Sequence, residues 1–300
     1  MLKKGGLSAP LPIRDGVAPS YLWLPQGDWE NMLSFLVARF PLVGAADWID
    51  RMARGEVVTG DGVKLHPGSQ FRRGMRIFYY RELERETTIP FEEQILFRDE
   101  HLVVVDKPHF LPMIPSGRFL QETLLVRLKK KLALDDLSPI HRLDRETAGV
   151  VIFSVQQGSR GAYQSLFQKR EVEKVYEALA APLTGRDFPF VYRSRMVEGE
   201  PFFRMQEVEG EPNSETVIDV IERRADATLY RLRPHTGRKH QLRVHMAALG
   251  VPIINDPFYP VALPCKQDDV SQPLQLLARA IAFIDPLTGQ RRQFESLRAL

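Results

Sequence analysis

The chain has 300 residues, with 41 Lys+Arg against 38 Asp+Glu, seven His and a formal net charge of +3. At 44% hydrophobic and 26% charged residues it reads as an ordinary globular protein, not a fibrous or broadly disordered one. Its one cysteine, Cys265, excludes an intramolecular disulfide framework and any zinc site built on cysteine pairs.

The opening residues carry two lysines with no apolar stretch behind them, unlike a secretory signal. No apolar run approaches the roughly 20 residues that span a bilayer, so no membrane partner is expected and the expected compartment is the reducing cytoplasm.

Residues 1–25, rich in Gly, Pro and small polar types, are expected to form an extended arm. Met32, Leu33, Phe35, Leu36, Val37 and Phe40 recur at helical spacing across residues 29–40, and Pro41 ends the run. A second helix is predicted over residues 45–54, stopping at Gly55. Short β-like pieces follow, punctuated by Gly60, Gly62, Pro67, Gly68 and Gly74, and close at residues 75–80. A charged connector over residues 81–88 leads to Pro90 and reads as a linker. Residues 26–88 are therefore expected to form a small N-terminal α/β domain and residues 89–300 a larger one.

Beyond the boundary, residues 101–106 read as a buried strand ending at Lys107-Pro108. Residues 121–132 read as a helix with a basic face of Arg127, Lys129, Lys130 and Lys131. A strand over residues 149–154 and a helix over residues 159–169 come next. Strands are expected over residues 172–180, 202–208, 214–221 and 227–232, then a helix over 237–249 and a late strand over 274–283. Strands that follow one another without helices between them point to an α+β fold. Its core would be a mixed, largely antiparallel sheet with flanking helices, not a doubly wound nucleotide fold.

The charge is unevenly placed. Residues 227–255 contain no carboxylate, yet hold Arg231, Arg233, Arg238, Lys239, Arg243, His235, His240 and His245. Lys and Arg alone in this stretch exceed the net charge of the whole chain, which points to a polyanionic partner. Apolar residues alternate with the charges (Leu242, Val244, Met246, Leu249), so one helix face is packed and the other is held in place. Thr236 or a neighbour is expected to cap that helix, and its free first-turn N–H groups suit a phosphate.

Residues 141–149 (HRLDRETAG) are densely polar and sit directly before the apolar strand. Asp144 lies between Arg142 and Arg145, which should keep its carboxylate ionised. Such a group can be a nucleophile, a base or half of a salt bridge, and structural ion pairs outnumber catalytic carboxylates. The three histidines near residue 240 are spaced five apart, so they do not share a helix face as metal ligands would. The chain has no phosphate-binding loop ending in Gly-Lys-Ser/Thr, no GxGxxG after a strand and no Gly-x-Ser-x-Gly elbow. These absences point to chemistry without nucleotide, metal or thiol.

Taken together, these blocks resemble the RluA-type pseudouridine synthases. Residues 141–149 resemble the family's HRLDxxTSG signature, and residues 233–253 (RPHTGRKHQLRVHMAALGVPI) resemble its TGRxHQIRVH segment. Residues 102–108 are similar to its opening strand and Lys-Pro, and residues 173–176 to its K-x-Y segment. Ala148 replaces the usual serine, Asn255 and Pro260 stand where glycines are common, and Leu277 replaces a histidine. Residues 29–80 have a faint likeness to the S4-type RNA-binding domain that precedes many of these enzymes, without its Ser-Arg at the second helix.

The resemblance implies a mixed-sheet α+β fold and isomerisation of uridines in ribosomal RNA or tRNA. It implies no cofactor or metal, and the expected state is a monomer. By matching position, it implies that Asp144 is the catalytic aspartate. Tyr176 would be the tyrosine against the target base, Arg243 the arginine paired with Asp144, and Arg142 the residue that fills the gap left by the flipped uridine. Arg238, Lys239, His240, Lys129 and Lys130 are expected RNA contacts. The alternative is a non-catalytic RNA-binding or ribosome-assembly factor on the same fold.

Overall fold

Asn31 starts the first helix: its side chain accepts the Ser34 N–H at 2.9 Å, while Ser34 Oγ accepts the Asn31 N–H at 3.2 Å. This reciprocal cap places the helix start after the predicted residue 29. The computed structural model describes residues 9–83, 85–263 and 269–300, so Cys265 lies outside the described residues. The chain divides after Glu86 into two compact units.

The first unit contains β1 (Ser20–Trp23), α1 (Met32–Arg39), α2 (Ala45–Ala53), β2 (Val57–Thr59) and β3 (Arg76–Tyr79). Its three antiparallel strands lie in the order β1-β3-β2. Leu24, Met32, Phe35, Leu36, Trp48, Met52 and Ile77 form its core. The predicted arm over residues 1–25 is corrected in part, because residues 20–23 pair with β3. The reason is the alternation of Leu22 and Leu24, which pack on this core, with outward Tyr21 and Trp23.

The second unit runs β4 (Gln94–Arg98), β5 (Leu102–Lys107), α3 (Leu124–Leu132), β6 (Ser138–Pro139), β7 (Ala148–Ser154) and α4 (Gln157–Lys169). It continues through β8 (Val172–Ala180), β9 (Phe190–Glu198), β10 (Met205–Val208), β11 (Ser214–Arg223), β12 (Thr228–Pro234), α5 (Gln241–Ala248), β13 (Leu276–Ile284) and β14 (Arg291–Glu295). The main sheet has the order β10-β9-β11-β12-β8-β13-β7-β5-β4, with β14 on β13 and β6 on β7. Among the described residues only the β13–β7 pairing is parallel, so the fold is α+β with a mixed, largely antiparallel sheet.

β5 and β7 are buried along their whole length, which is why both read as continuous apolar runs. On one face Val103, Val105, Val151 and Phe153 meet Leu124 and Leu128 of α3. On the other, Leu102, Val104, Val150 and Ile152 meet Tyr163 and Leu166 of α4. The loop before β7 is thus anchored on a strand that is packed from both sides.

Strands β1, β4, β9 and β14 escape a reading from periodicity alone. β9 carries Arg193, Arg195 and Glu198 and is largely exposed along one face, so it has little apolar signal. Helix α5 begins at Gln241, not at the predicted residue 237. His240 occupies its N-cap in the left-handed region at φ +55°, a conformation that interrupts the helix on its N-terminal side. Thr236 acts through Gln241 instead: its hydroxyl donates to Gln241 Oε1 at 2.7 Å, and the Arg238 N–H donates to the same oxygen at 3.1 Å.

Candidate active site

Three segments converge on one cavity of about 390 Å³: the loop before β7, strand β8, and the loop running from β12 into α5. Arg142 and Asp144 come from the first, Tyr176 from the second, and Arg238, Lys239, His240 and Arg243 from the third. Lys129 and Lys130 are not brought to it. Lys129 is buried on α3, and Lys130 is tied to Gln121.

Arg243 Nη1 donates to Asp144 Oδ2 at 3.1 Å, and the guanidinium is 1% exposed. Burial by itself raises the Asp144 carboxyl, but Arg243 and Arg142, joined by His240 only in the acid range where that ring is charged, outweigh it and hold the group below the usual carboxylate range. His240 Nε2 lies 3.7 Å from Asp144 Oδ1, and burial pushes this imidazole down to about 4. At neutral pH His240 is therefore uncharged, and Arg243 is the contact that keeps Asp144 ionised. The other predicted clamp is corrected: Arg145 turns away, donating from Nε to the Phe110 carbonyl at 3.0 Å with its guanidinium over the Phe119 ring.

Asp256 is the partner that sequence reasoning missed. It accepts from Arg243 Nε at 2.8 Å and from Nη2 at 2.7 Å, so that Arg243 bridges two carboxylates. Asp256 is fixed in turn by the N–H groups of Phe258 at 2.8 Å and Tyr259 at 3.1 Å. Its signal was its place between Asn255 and Pro260, the two positions where the family commonly has glycines. The Tyr259 hydroxyl lies 2.9 Å from His240 Nδ1, so the same loop sets the ring of His240. His240, expected as an RNA contact, is held by Tyr259 through Nδ1, faces Asp144 with Nε2 and has a side chain only 7% exposed.

Tyr176 is half-buried and packs between two of the apolar clusters of the second unit, one built on Val103, Val151 and Leu124 and one on Ala178, Tyr230 and Leu242. Burial and the negative charge of Asp144 push its hydroxyl upward, so it stays protonated at neutral pH. Lys174, on the same strand, lines the cavity and donates to the Thr236 carbonyl at 3.1 Å. Arg142 and Lys239 are exposed, and their side chains make no hydrogen bond or ion pair to another described residue. Arg238 is exposed as well, with Nε 3.3 Å from the Asn213 carbonyl.

His141 lines the cavity but is occupied: it accepts the Ile152 N–H at 3.1 Å and stacks on Phe167. Buried Lys107 donates to the carbonyls of Pro108, Leu111 and Arg145 at 3.0, 2.9 and 3.1 Å, tying the loop after β5 to the loop that carries Asp144. Among the described residues, no group of three or more His, Cys, Asp or Glu is placed to hold a metal ion, and no helix is long and apolar enough to cross a membrane.

The family model described as RNA pseudouridylate synthase matches residues 101–248. The chain is 32% identical over 207 residues to the dual-specificity RNA pseudouridine synthase RluA of Haemophilus influenzae, covering 67% of this chain and 91% of that protein. It is 28% identical over 234 residues to an RNA pseudouridine synthase of Synechocystis, covering 76% and 79% of the two chains. Among solved structures, the human RNA pseudouridylate synthase domain containing 4 protein matches at a TM-score of 0.54 with 26% identity, over 68% of this chain and 88% of that one. The sequence blocks, the mixed sheet and a relative matched along most of its length lead to one assignment: this chain belongs to the RluA-type family of RNA pseudouridine synthases, and is an isomerase.

Proposed function

We propose that the protein flips specific uridines of ribosomal RNA or tRNA into the cavity and isomerises them there, with Asp144 as the essential group. The observation that carries this reading is the Asp144 carboxylate at the cavity wall, paired at 3.1 Å with buried Arg243. An unpaired carboxylate in such a place would take up a proton and lose its nucleophilicity and basicity.

The reaction breaks the bond from the uracil nitrogen to the ribose, turns the base, and joins a ring carbon to the same ribose carbon. The proton on that ring carbon leaves and the freed nitrogen gains one, so atoms balance without a co-reactant. Asp144 either attacks the sugar or removes a proton from it. Tyr176 packs against the base and supports proton transfer with a hydroxyl that stays protonated. Arg142, exposed and unpaired among the described residues, enters the space vacated in the RNA and offsets part of the unstacking cost of a few kcal/mol. Arg238 and Lys239 hold phosphates at the cavity mouth, with Lys130 as a peripheral contact, while His240 positions Asp144. The proposed setting is the cytoplasm, where a lone thiol stays reduced, and the proposed state is a monomer, since one chain supplies the whole cavity.

The test incubates total RNA with wild type and with Asp144→Asn, then maps pseudouridine by chemical adduct. Sites should form with wild type only. Isomerisation that survives in Asp144→Asn would overturn the assignment.

A further inference from the structure

In the first unit the large side chains of β1 divide between two faces. Leu22 packs into the core, whereas Tyr21 and Trp23 stand side by side on the outer face, 57% and 56% exposed. A pair of large exposed aromatic residues on one strand face marks an interaction surface. Across the register, Trp23 lies opposite Arg76 and Tyr21 opposite Phe78. The Arg76 guanidinium sits 4.3 Å from the Tyr21 ring centre and 5.6 Å from that of Trp23. Its Nε has no hydrogen-bond partner, and it makes no ion pair with a described residue.

Positive charge is concentrated on the segments that carry this face. Residues 16–27 and 62–81, which carry β1 and β3, contain no carboxylate, but do hold Lys64, Arg72, Arg73 and Arg76. Exposed Arg72 and Arg73 are held at the Trp23 end of the strand. There the Leu24 N–H donates to the Met75 carbonyl and the Gly74 N–H to the Leu24 carbonyl, both at 2.9 Å.

We propose that this face is a second RNA-binding surface: unpaired bases of single-stranded RNA stack on Trp23 and Tyr21, and Arg72 and Arg73 hold the adjoining phosphates. Flat rings interleaved with guanidinium groups suit bases of any identity, so the surface adds affinity with little sequence preference. The exposed guanidinium groups of Arg72 and Arg73 beside the two rings suit a polyanion that also offers flat bases. The surface is built from the first unit alone, and the proposal does not depend on the roles proposed for the cavity.

All three tryptophans belong to this unit, and they differ in access: Trp48 is 1% exposed and Trp29 is packed on Phe35 and Phe71. Tryptophan emission of the full chain therefore reports contact at Trp23. Titration with a single-stranded oligouridylate of about eight nucleotides should quench that emission, and an RNA duplex of equal charge should not. Trp23→Phe should abolish the quench. Tyr21→Ala, which keeps the Trp23 reporter, should raise the midpoint about 5- to 100-fold with an unchanged melting temperature. Replacing Arg72 and Arg73 by Gln should reduce the salt dependence of the midpoint. Absence of quenching, or an unchanged midpoint in Tyr21→Ala, would overturn the proposal. So would self-association in sedimentation that Trp23→Ala removes, which would assign the face to a second copy of the chain. Pseudouridine formation that depends on Asp144 would persist in each of these overturning cases, so the two readings fail separately.

Discussion

Arg243 commits two of its guanidinium nitrogens to Asp256, at 2.8 and 2.7 Å, and leaves the third for Asp144 at 3.1 Å. The bidentate grip fixes the plane of the guanidinium, and that plane determines where the remaining N–H points. Asp256 is thus a positioning residue for the Asp144 carboxylate.

Asp256→Asn keeps the shape of the side chain but removes the charge opposite a guanidinium that is 1% exposed. Leaving one partner of a buried pair uncompensated typically costs about 3–5 kcal/mol. Urea denaturation should show a loss of that order. Single-turnover isomerisation should fall by at least about 100-fold, the usual consequence of a displaced reacting group. Wild-type rates in Asp256→Asn would remove it from the site.

Arg142 and Arg145 are near neighbours with opposite expected behaviour. Arg142 is exposed in the cavity, so Arg142→Ala should leave stability within about 0.5 kcal/mol while weakening RNA binding and slowing isomerisation. Arg145 is bonded to the Phe110 carbonyl and lies over Phe119, so Arg145→Ala should cost about 1–2 kcal/mol of stability. Thermal melts alongside RNA titrations separate the two; a stability loss in Arg142→Ala would contradict its placement.

Four histidines are held neutral by burial: His109, His240 and His245 are each pushed down to about 4, and His141 to about 3. An unfolded histidine takes up its proton near pH 6.5, so between that value and about 4 the unfolded chain binds more protons than the folded one. Stability contributed by these groups is full above about pH 7 and is lost as pH falls through this window. For each histidine the loss approaches about 1.4 kcal/mol per pH unit. Melting temperature should drop progressively below pH 6.5, and the slope should lessen in His245→Asn. A midpoint that does not move between pH 7 and 5 would refute the burial argument.

Gly149 begins the apolar part of β7 at φ +113°, where an added Cβ would stand 2.2 Å from the Ala278 carbonyl oxygen on β13. That obstruction is backbone and cannot swing aside. Gly149→Ala should therefore be destabilised by more than about 3 kcal/mol or accumulate as insoluble protein. Gly161, within α4, has open space around its would-be Cβ, and Gly161→Ala should gain up to about 1 kcal/mol. Expression yield and denaturant midpoints of the two variants test the contrast.

Much of the architecture was legible because it is written in local order. β5 and β7 show as unbroken apolar runs since both faces are covered, and α4 and β8 show through their own periods. The basic stretch at residues 227–255 was visible as composition, where the net charge of +3 was silent. Strands β1 and β9 were not legible, because their outward residues carry aromatic rings or charges and their inward ones are too few to set a period.

The ionic geometry belongs to the tertiary structure alone. Asp144 and Arg243 are 99 positions apart, and no spacing rule relates them. They meet because the loop before β7 and helix α5 border one cavity in a sheet whose strand order departs from chain order. Adjacent arginines could equally have clamped Asp144, and the fold directed Arg145 to the Phe110 carbonyl instead. Sequence determines which groups are available and how each strand or helix turns its faces. Which charge stands beside which carboxylate depends on long-range packing, and in a buried cavity that choice sets the protonation state of Asp144.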